Sequence, residues 1–248
     1  MNGGTSQQAI LAVVGLTKVF GGLRAVHLDL SIQEGELHCV IGPNGAGKST
    51  FFRTISGGMR PTAGAIYFRG RDITGWDAFR VARLGISIKF QVPSVFEQLS
   101  VIENLTTAAE FRFGRHESLR RADQMLDVVG LGQRAREAAA SLSHGERQWL
   151  EVGMASISQP ALILLDEPTA GMTVEEVKKT ASLLKRLNET ATVLVVEHNM
   201  NFIRMIGQTV TVMHQGEVFA QGTMQEIEAH PGVRDIYLGR GKAHAAGS

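Results

Sequence analysis

One run of nine residues has the strongest chemical pattern in the chain. Gly42-Pro43-Asn44-Gly45-Ala46-Gly47-Lys48-Ser49-Thr50 fits the Gly-x4-Gly-Lys-Ser/Thr spacing of a phosphate-binding loop. Glycine-rich backbone can approach phosphate closely because no side chain intrudes. The N–H groups of the loop, and of the helix that should follow it, then point at the anion. In this arrangement Lys48 reaches the β- and γ-phosphates of a nucleotide, and the Ser49 hydroxyl is placed to bind Mg2+. A glycine-rich turn that binds nothing would not need Lys-Ser in register directly after an apolar segment.

A second pattern is Leu162-Ile163-Leu164-Leu165-Asp166-Glu167-Pro168, an apolar run ending in two adjacent carboxylates. On an extended chain neighbouring residues point opposite ways, so the two acids can take different tasks. Asp166 fits the Mg2+-linked carboxylate of a phosphate-loop enzyme, acting through water. Glu167 fits a general base that positions the attacking water. Alone, this could be a solvated acidic turn after a core strand; beside a phosphate loop it reads as the rest of a nucleotide-hydrolysing site.

These groups must be held by alternating elements. Arg24–Ile32 places Val26, Leu28, Leu30 and Ile32 on one face, as a half-buried strand does. Leu37–Ile41, Ala161–Leu165 and Thr192–Val196 are short continuous apolar runs, expected of strands buried on both faces. Thr209–His214 and Glu217–Ala220 flank Gln215-Gly216, a hairpin turn. Helical spacing is expected over Ser49–Ser56, Val101–Phe113, Glu117–Val129, His144–Ser158 and Thr173–Asn188, the last capped by Thr173 with Glu175 and Glu176 in its first turn. The expectation is one α/β domain over 8–238. Its core comprises 8–91 and 161–238, including an antiparallel β part near the N-terminus. A helical lobe, 92–160, is inserted between them. Residues 1–7 and 239–248 should fray.

Composition narrows the class. Twenty-five Lys+Arg against 24 Asp+Glu leave a net charge of +1, unlike the basic field of a general nucleic-acid binder. The 44% hydrophobic content is near the ~45–50% of ordinary soluble domains and excludes a disordered chain. A single cysteine, Cys39, builds neither a disulfide framework nor a cysteine zinc site; inside an apolar strand it should be an inert core thiol. His27, His38, His214 and His230 show no metal-ligand arrangement. No apolar run approaches the ~20 residues of a membrane span, and the start of the sequence lacks signal-peptide order. A cytoplasmic protein is the default expectation. Glycine is in excess, 28 of 248 residues, against a usual ~7%.

Ser141-Leu142-Ser143-His144-Gly145-Glu146-Arg147-Gln148 resembles the signature motif of ABC-type ATPases, usually Leu-Ser-Gly-Gly-Gln. The resemblance runs from about Ile10 to Leu238, with the motifs in family order. It implies a P-loop NTPase core of the ABC ATPase type with ATP and Mg2+ as ligands. It also implies roles for single residues. Phe20 would stack on adenine, and Gln91, between core and lobe, would sense the γ-phosphate and Mg2+. His198, in Val196-Glu197-His198-Asn199, would be the switch histidine. Ser143, His144, Gly145 and Glu146 would face the nucleotide of a second ATPase subunit, identical or paralogous. Independently, a Ser and a Gly at a helix start make a sound phosphate cap.

Two positions depart from the family pattern: His144 replaces the signature's first glycine, and Thr173 stands where an aspartate is usual. Leu-Ser-His-Gly-Glu, Ala170-Gly171-Met172 and Glu197-His198-Asn199-Met200-Asn201-Phe202 look like ATPase subunits of branched-chain amino acid and urea importers, and Trp149 within Arg147–Glu151, Ala170-Gly171-Met172-Thr173 and Thr211–Gly216 look closest to the urea-importer subunit. That likeness implies an ATPase at the cytoplasmic membrane face. It would be coupled to two separate permease subunits, near Phe90–Glu97 and Leu99, and indirectly to an extracytoplasmic solute-binding protein. The alternative is the ATPase of an exporter or lipid-transport system. A DNA-repair or translation ABC protein would need a coiled-coil insertion or two ATPase halves. A P-loop kinase would have no use for the signature.

Overall fold

The computed structural model describes residues 9–89 and 95–238. The expected frayed ends, Gln91 and the docking residues Phe90, Val92, Pro93 and Ser94 lie outside the described residues.

The strands are β1 (Ala9–Phe20), β2 (Leu23–Gln33), β3 (Leu37–Ile41), β4 (Ala63–Phe68), β5 (Arg71–Asp72), β6 (Ile86–Lys89), β7 (Leu162–Asp166), β8 (Thr192–Val196), β9 (Thr209–His214) and β10 (Glu217–Gly222). The helices are α1 (Lys48–Ile55), α2 (Ala78–Arg83), α3 (Val101–Glu110), α4 (Arg115–Val129), α5 (His144–Ser156), α6 (Val174–Asn188), α7 (Met200–Ile206), α8 (Met224–Ala229) and α9 (Pro231–Leu238). Between β6 and β7 the described elements are all helical: α3, α4, two short 3-10 turns and α5.

A six-stranded sheet, in the order β10-β9-β3-β8-β7-β6, forms the centre. Its strands pair in parallel except for the β9–β10 hairpin. Every residue of β3, β7 and β8 is buried, which explains their continuous apolar runs. Alternate side chains still serve two cores, as a period of two requires. Leu37, Cys39, Ile41, Ile163, Leu165, Val193 and Val195 join the cluster formed with α3–α8. Val40, Leu162, Leu164, Leu194 and Val196 join a second cluster with α1 and a four-stranded antiparallel sheet, β2-β1-β4-β5.

β1 carries three register shifts against β2, between Ala9 and Leu11, Val13 and Leu16, and Lys18 and Val19, and Val14 is exposed. This breaks the alternation that would mark it as a strand. Helix starts follow side-chain chemistry. Thr173 caps α6 in a box with Glu176, Ser143 caps α5 with Glu146, and Ser100 caps α3 with Glu103. Gln215 and Gly216 both have positive φ (51° and 83°), as the tight β9–β10 turn demands. Cys39 is fully buried, and burial pushes its thiol up to about 12.

Candidate functional site

A cleft of about 650 Å3 opens over the phosphate-loop motif. Its floor is Asn44–Thr50, the segment that links β3 to α1. No side chain caps α1, whose N-cap is Gly47; elsewhere Ser143, Thr173 and Asn199 side chains accept N–H groups at the starts of their helices. The dipole end of α1 therefore faces the cleft with no side-chain cap of its own. The remaining walls are Leu23, Arg24 and Ala25 from β2, the turn residue Gln215, and Glu167. The sequence patterns marked only the floor and Glu167. The β2 wall and Gln215 arrive because the antiparallel sheet lies over the loop, with His27 N donating to Gly216 O at 2.7 Å.

The loop glycines serve the protein's own backbone as much as any ligand. A Cβ on Gly42 would strike the Met213 carbonyl oxygen, and one on Gly47 would lie 2.5 Å from the Ala25 carbonyl oxygen. Gly45, by contrast, faces open space. Lys48 is folded onto its own loop, donating to the carbonyls of Gly42 (2.6 Å) and Pro43 (3.1 Å). Burial lowers its affinity for the proton, opposed by Glu167 and Asp166. Ser49 is exposed and Thr50 half-exposed on the first turn of α1.

Asp166 ends β7 and is buried at 7% exposure. Desolvation, then the neighbouring Glu167 charge, pushes its carboxyl up to about 6, against the opposing pull of Lys89 and Lys48. Glu167 does not continue the strand. Its φ is +47°, in the left-handed region, and its N–H donates to Val196 O at 2.9 Å. The two acids are separated by this turn and not by strand alternation, which corrects the expectation. His198, after β8, brings its Nδ1 to 3.4 Å from Glu167 Oε1. Asp166 and Glu167, at the end of β7, thus lie near Lys48, and His198, after β8, lies against Glu167.

The other expected residues lie elsewhere. Phe20 is exposed at the end of β1, paired with Leu23, and does not line the cleft; Lys18 Nζ lies 5.2 Å from its ring centroid. Ser143, His144, Gly145 and Glu146 begin α5 away from it. In this chain the Ser143 hydroxyl accepts from Glu146 N, while Glu146 accepts from Ser143 N (2.8 Å) and from Arg134 (2.9 Å). His144 Nε2 lies 2.8 Å from Ala170 O, which ties the start of α5 to the loop after Glu167. The two departures from the family pattern meet at one loop: a Cβ on Gly171 would lie 3.2 Å from the His144 ring, and Thr173, two residues on, caps the helix that follows.

Sequence patterns missed two buried charged groups. Glu197 is fully buried between the Glu167 and His198 loops. Lys89, at the end of β6, pairs with Glu151 of α5 at 3.3 Å, both side chains almost completely buried. A charged residue inside or directly after an apolar strand was the only available sign of either.

Residues 26–170 match the ABC transporter family. The high-affinity branched-chain amino acid transport ATP-binding protein LivG of Salmonella typhimurium is 36% identical over 251 residues, covering 94% of this chain and 98% of that one. A crystal structure of the ADP conformation of MJ1267, an ATP-binding cassette of an ABC transporter, superposes with a TM-score of 0.84 at 27% identity, covering 93% and 99% of the two chains. The dimeric post-hydrolysis state of the cassette MJ0796, bound to ADP and phosphate, gives 0.76 at 27% identity over 86% and 98%. With the phosphate loop, the paired carboxylates and the histidine assembled on this cassette fold, the chain belongs to the ABC transporter family of ATP-binding subunits, ATPases coupled to transport.

Proposed function

We propose that this chain powers a membrane importer for a small polar solute of the branched-chain amino acid and urea group. The observation that carries the reading is Glu167 in the wall of the phosphate-loop cleft, with His198 Nδ1 3.4 Å from its carboxylate. ATP lies with its phosphates over Asn44–Thr50. Lys48 leaves its loop carbonyls for the β- and γ-phosphates, and Glu167 takes a proton from the attacking water. His198 and Gln91 contact the γ-phosphate end, and Phe20 stacks on adenine.

The donors present fit Mg2+. Ser49 Oγ and Asp166 are hard oxygen ligands, and Asp166 is a buried carboxylate short of compensating positive charge. Ser49, Gln91 and Asp166, the last through water, would hold the ion, which neutralises phosphate charge when bound. Ser143 to Glu146 then face the nucleotide of a second ATPase subunit, and the dimeric state of a similar cassette supports that arrangement.

Among the described residues no helix is long and apolar enough to cross a membrane. In this reading two separate permease subunits, met at the cytoplasmic face, carry the solute. Phe96, 52% exposed ahead of α3, is the accessible aromatic at the docking end. A relative that carries a branched-chain amino acid name favours that solute class; urea rests on the resemblance around Trp149, Ala170–Thr173 and Thr211–Gly216, and the exporter alternative is not favoured.

The test is Glu167→Gln. ATP binding and ATP-dependent dimerisation, followed by calorimetry and size-exclusion chromatography, should persist while hydrolysis nearly stops. Hydrolysis at the parent rate would remove Glu167 as the base. Uptake of leucine against urea by vesicles holding the ATPase with its permeases separates the solutes.

A further inference from the structure

We infer that Glu197 is a positioning residue for hydrolysis, clamping the loop that follows Glu167 to the turn that carries His198. The inference rests on the proposed roles of those two residues.

Glu197 follows β8 directly and is 0% exposed. Its Oε1 accepts from Thr169 N (3.0 Å) and from the Thr169 hydroxyl. Its Oε2 accepts from His198 N (2.8 Å) and Asn199 N (3.1 Å). One carboxylate thus binds donors from both loops that leave the neighbouring strands β7 and β8. Hydrogen bonds to an ionised acceptor are roughly twice as strong as neutral ones.

A buried carboxylate is costly unless its charge is met. Here three backbone N–H groups and the Thr169 hydroxyl meet it, donors that an apolar residue at 197 would leave unpaired. What the carboxylate adds is a fixed distance between Thr169 and His198. Glu167 needs that support. It sits in the left-handed region at φ +47°, a conformation that persists only where the surroundings over-determine it. Its N–H is held by Val196 O and the chain two residues later by Glu197. Both loops are therefore pinned from inside, and the 3.4 Å approach of His198 to Glu167 follows.

Glutamine at 197 keeps the volume but turns an amide N–H2 toward one pair of N–H donors. The assay is steady-state ATPase kinetics of Glu197→Gln, Thr169→Val and Thr169→Ser, with ADP affinity and binding stoichiometry from calorimetry. Misplacement of reacting groups by 1 Å can cost on the order of 100-fold. On that scale kcat should fall roughly 30- to 100-fold in Glu197→Gln and roughly 5- to 10-fold in Thr169→Val, and return to within about twofold in Thr169→Ser. ADP affinity and stoichiometry should stay at the parent values, because the phosphate loop is untouched.

Parent-like kcat in both Glu197→Gln and Thr169→Val overturns the clamp. So does a fall in kcat matched by an equal fall in ADP stoichiometry, the mark of lost folded protein alone. If Glu197→Gln does not fold, the Thr169 pair decides. Glu167→Gln is run alongside. If it hydrolyses at the parent rate, the site reading fails. If it is inactive while the clamp variants run at full rate, only the clamp fails.

Discussion

Asp166→Asn should make the nucleotide-free protein more stable while removing the proposed Mg2+-dependent hydrolysis. Burial and the adjacent Glu167 charge raise the folded-state carboxyl from 3.8 to about 6. Between those values the folded chain holds a proton that the unfolded chain has released. Stability therefore falls as pH rises through that window and stays reduced above it. A shift of about two units corresponds to about 3 kcal/mol at ~1.4 kcal/mol per unit. Local rearrangement would reduce this, so a gain of about 1–3 kcal/mol is expected at pH 8 with chelator present. For a chain of this size that is a rise in Tm of roughly 2–4 °C per kcal/mol. The assay is urea unfolding of parent and variant from pH 4 to 8. The difference between the two curves should shrink steadily from about pH 6 toward pH 4, as the parent carboxyl gains its proton in the folded and then in the unfolded state. Glu167→Gln, which removes the second cause of the shift, should give a smaller gain of the same sign. An Asp166→Asn protein no more stable than the parent at pH 8, or a difference independent of pH, would refute the assignment of unrelieved charge to this position.

Other substitutions test the framework around the site. Gly42→Ala places a Cβ against the Met213 carbonyl oxygen and should cost about 1–3 kcal/mol in urea unfolding. Gly45→Ala, with open space around it, should cost only the roughly 1–2 kcal/mol of its left-handed backbone. Lys89→Met removes the cation paired with the buried Glu151 carboxylate and should destabilise by about 3–5 kcal/mol, whereas Lys89→Met combined with Glu151→Leu should come closer to the parent. Thr180→Val removes the acceptor of the buried Trp149 Nε1 bond, 2.9 Å long, and should cost about 1–3 kcal/mol with a shift in tryptophan emission.

Local chemistry was readable from the chain alone. The phosphate loop is nine contiguous residues whose spacing already encodes a strand, a turn and a helix start. The apolar runs of β3, β7 and β8 announce burial on both faces, and Thr173 with Glu176 announces a helix start. In each case the residues that interact are within a few positions of one another, so composition and period suffice. β1 escaped because its bulges spoil the period.

The tertiary structure decided what lies far apart in sequence. It brought Leu23, Arg24, Ala25 and Gln215 over the loop, and turned Glu167 out of the strand. It set His144 against Ala170, 26 residues away, and Glu197 against Thr169, 28 residues away. A pattern along the chain reports which face a residue prefers. It carries no information on which loop from another strand will supply the hydrogen bonds, because that depends on strand order in the sheet. Here β7 and β8 are neighbours although α6 separates them in sequence, and that adjacency assembles Glu167, Glu197 and His198 at one end of the sheet.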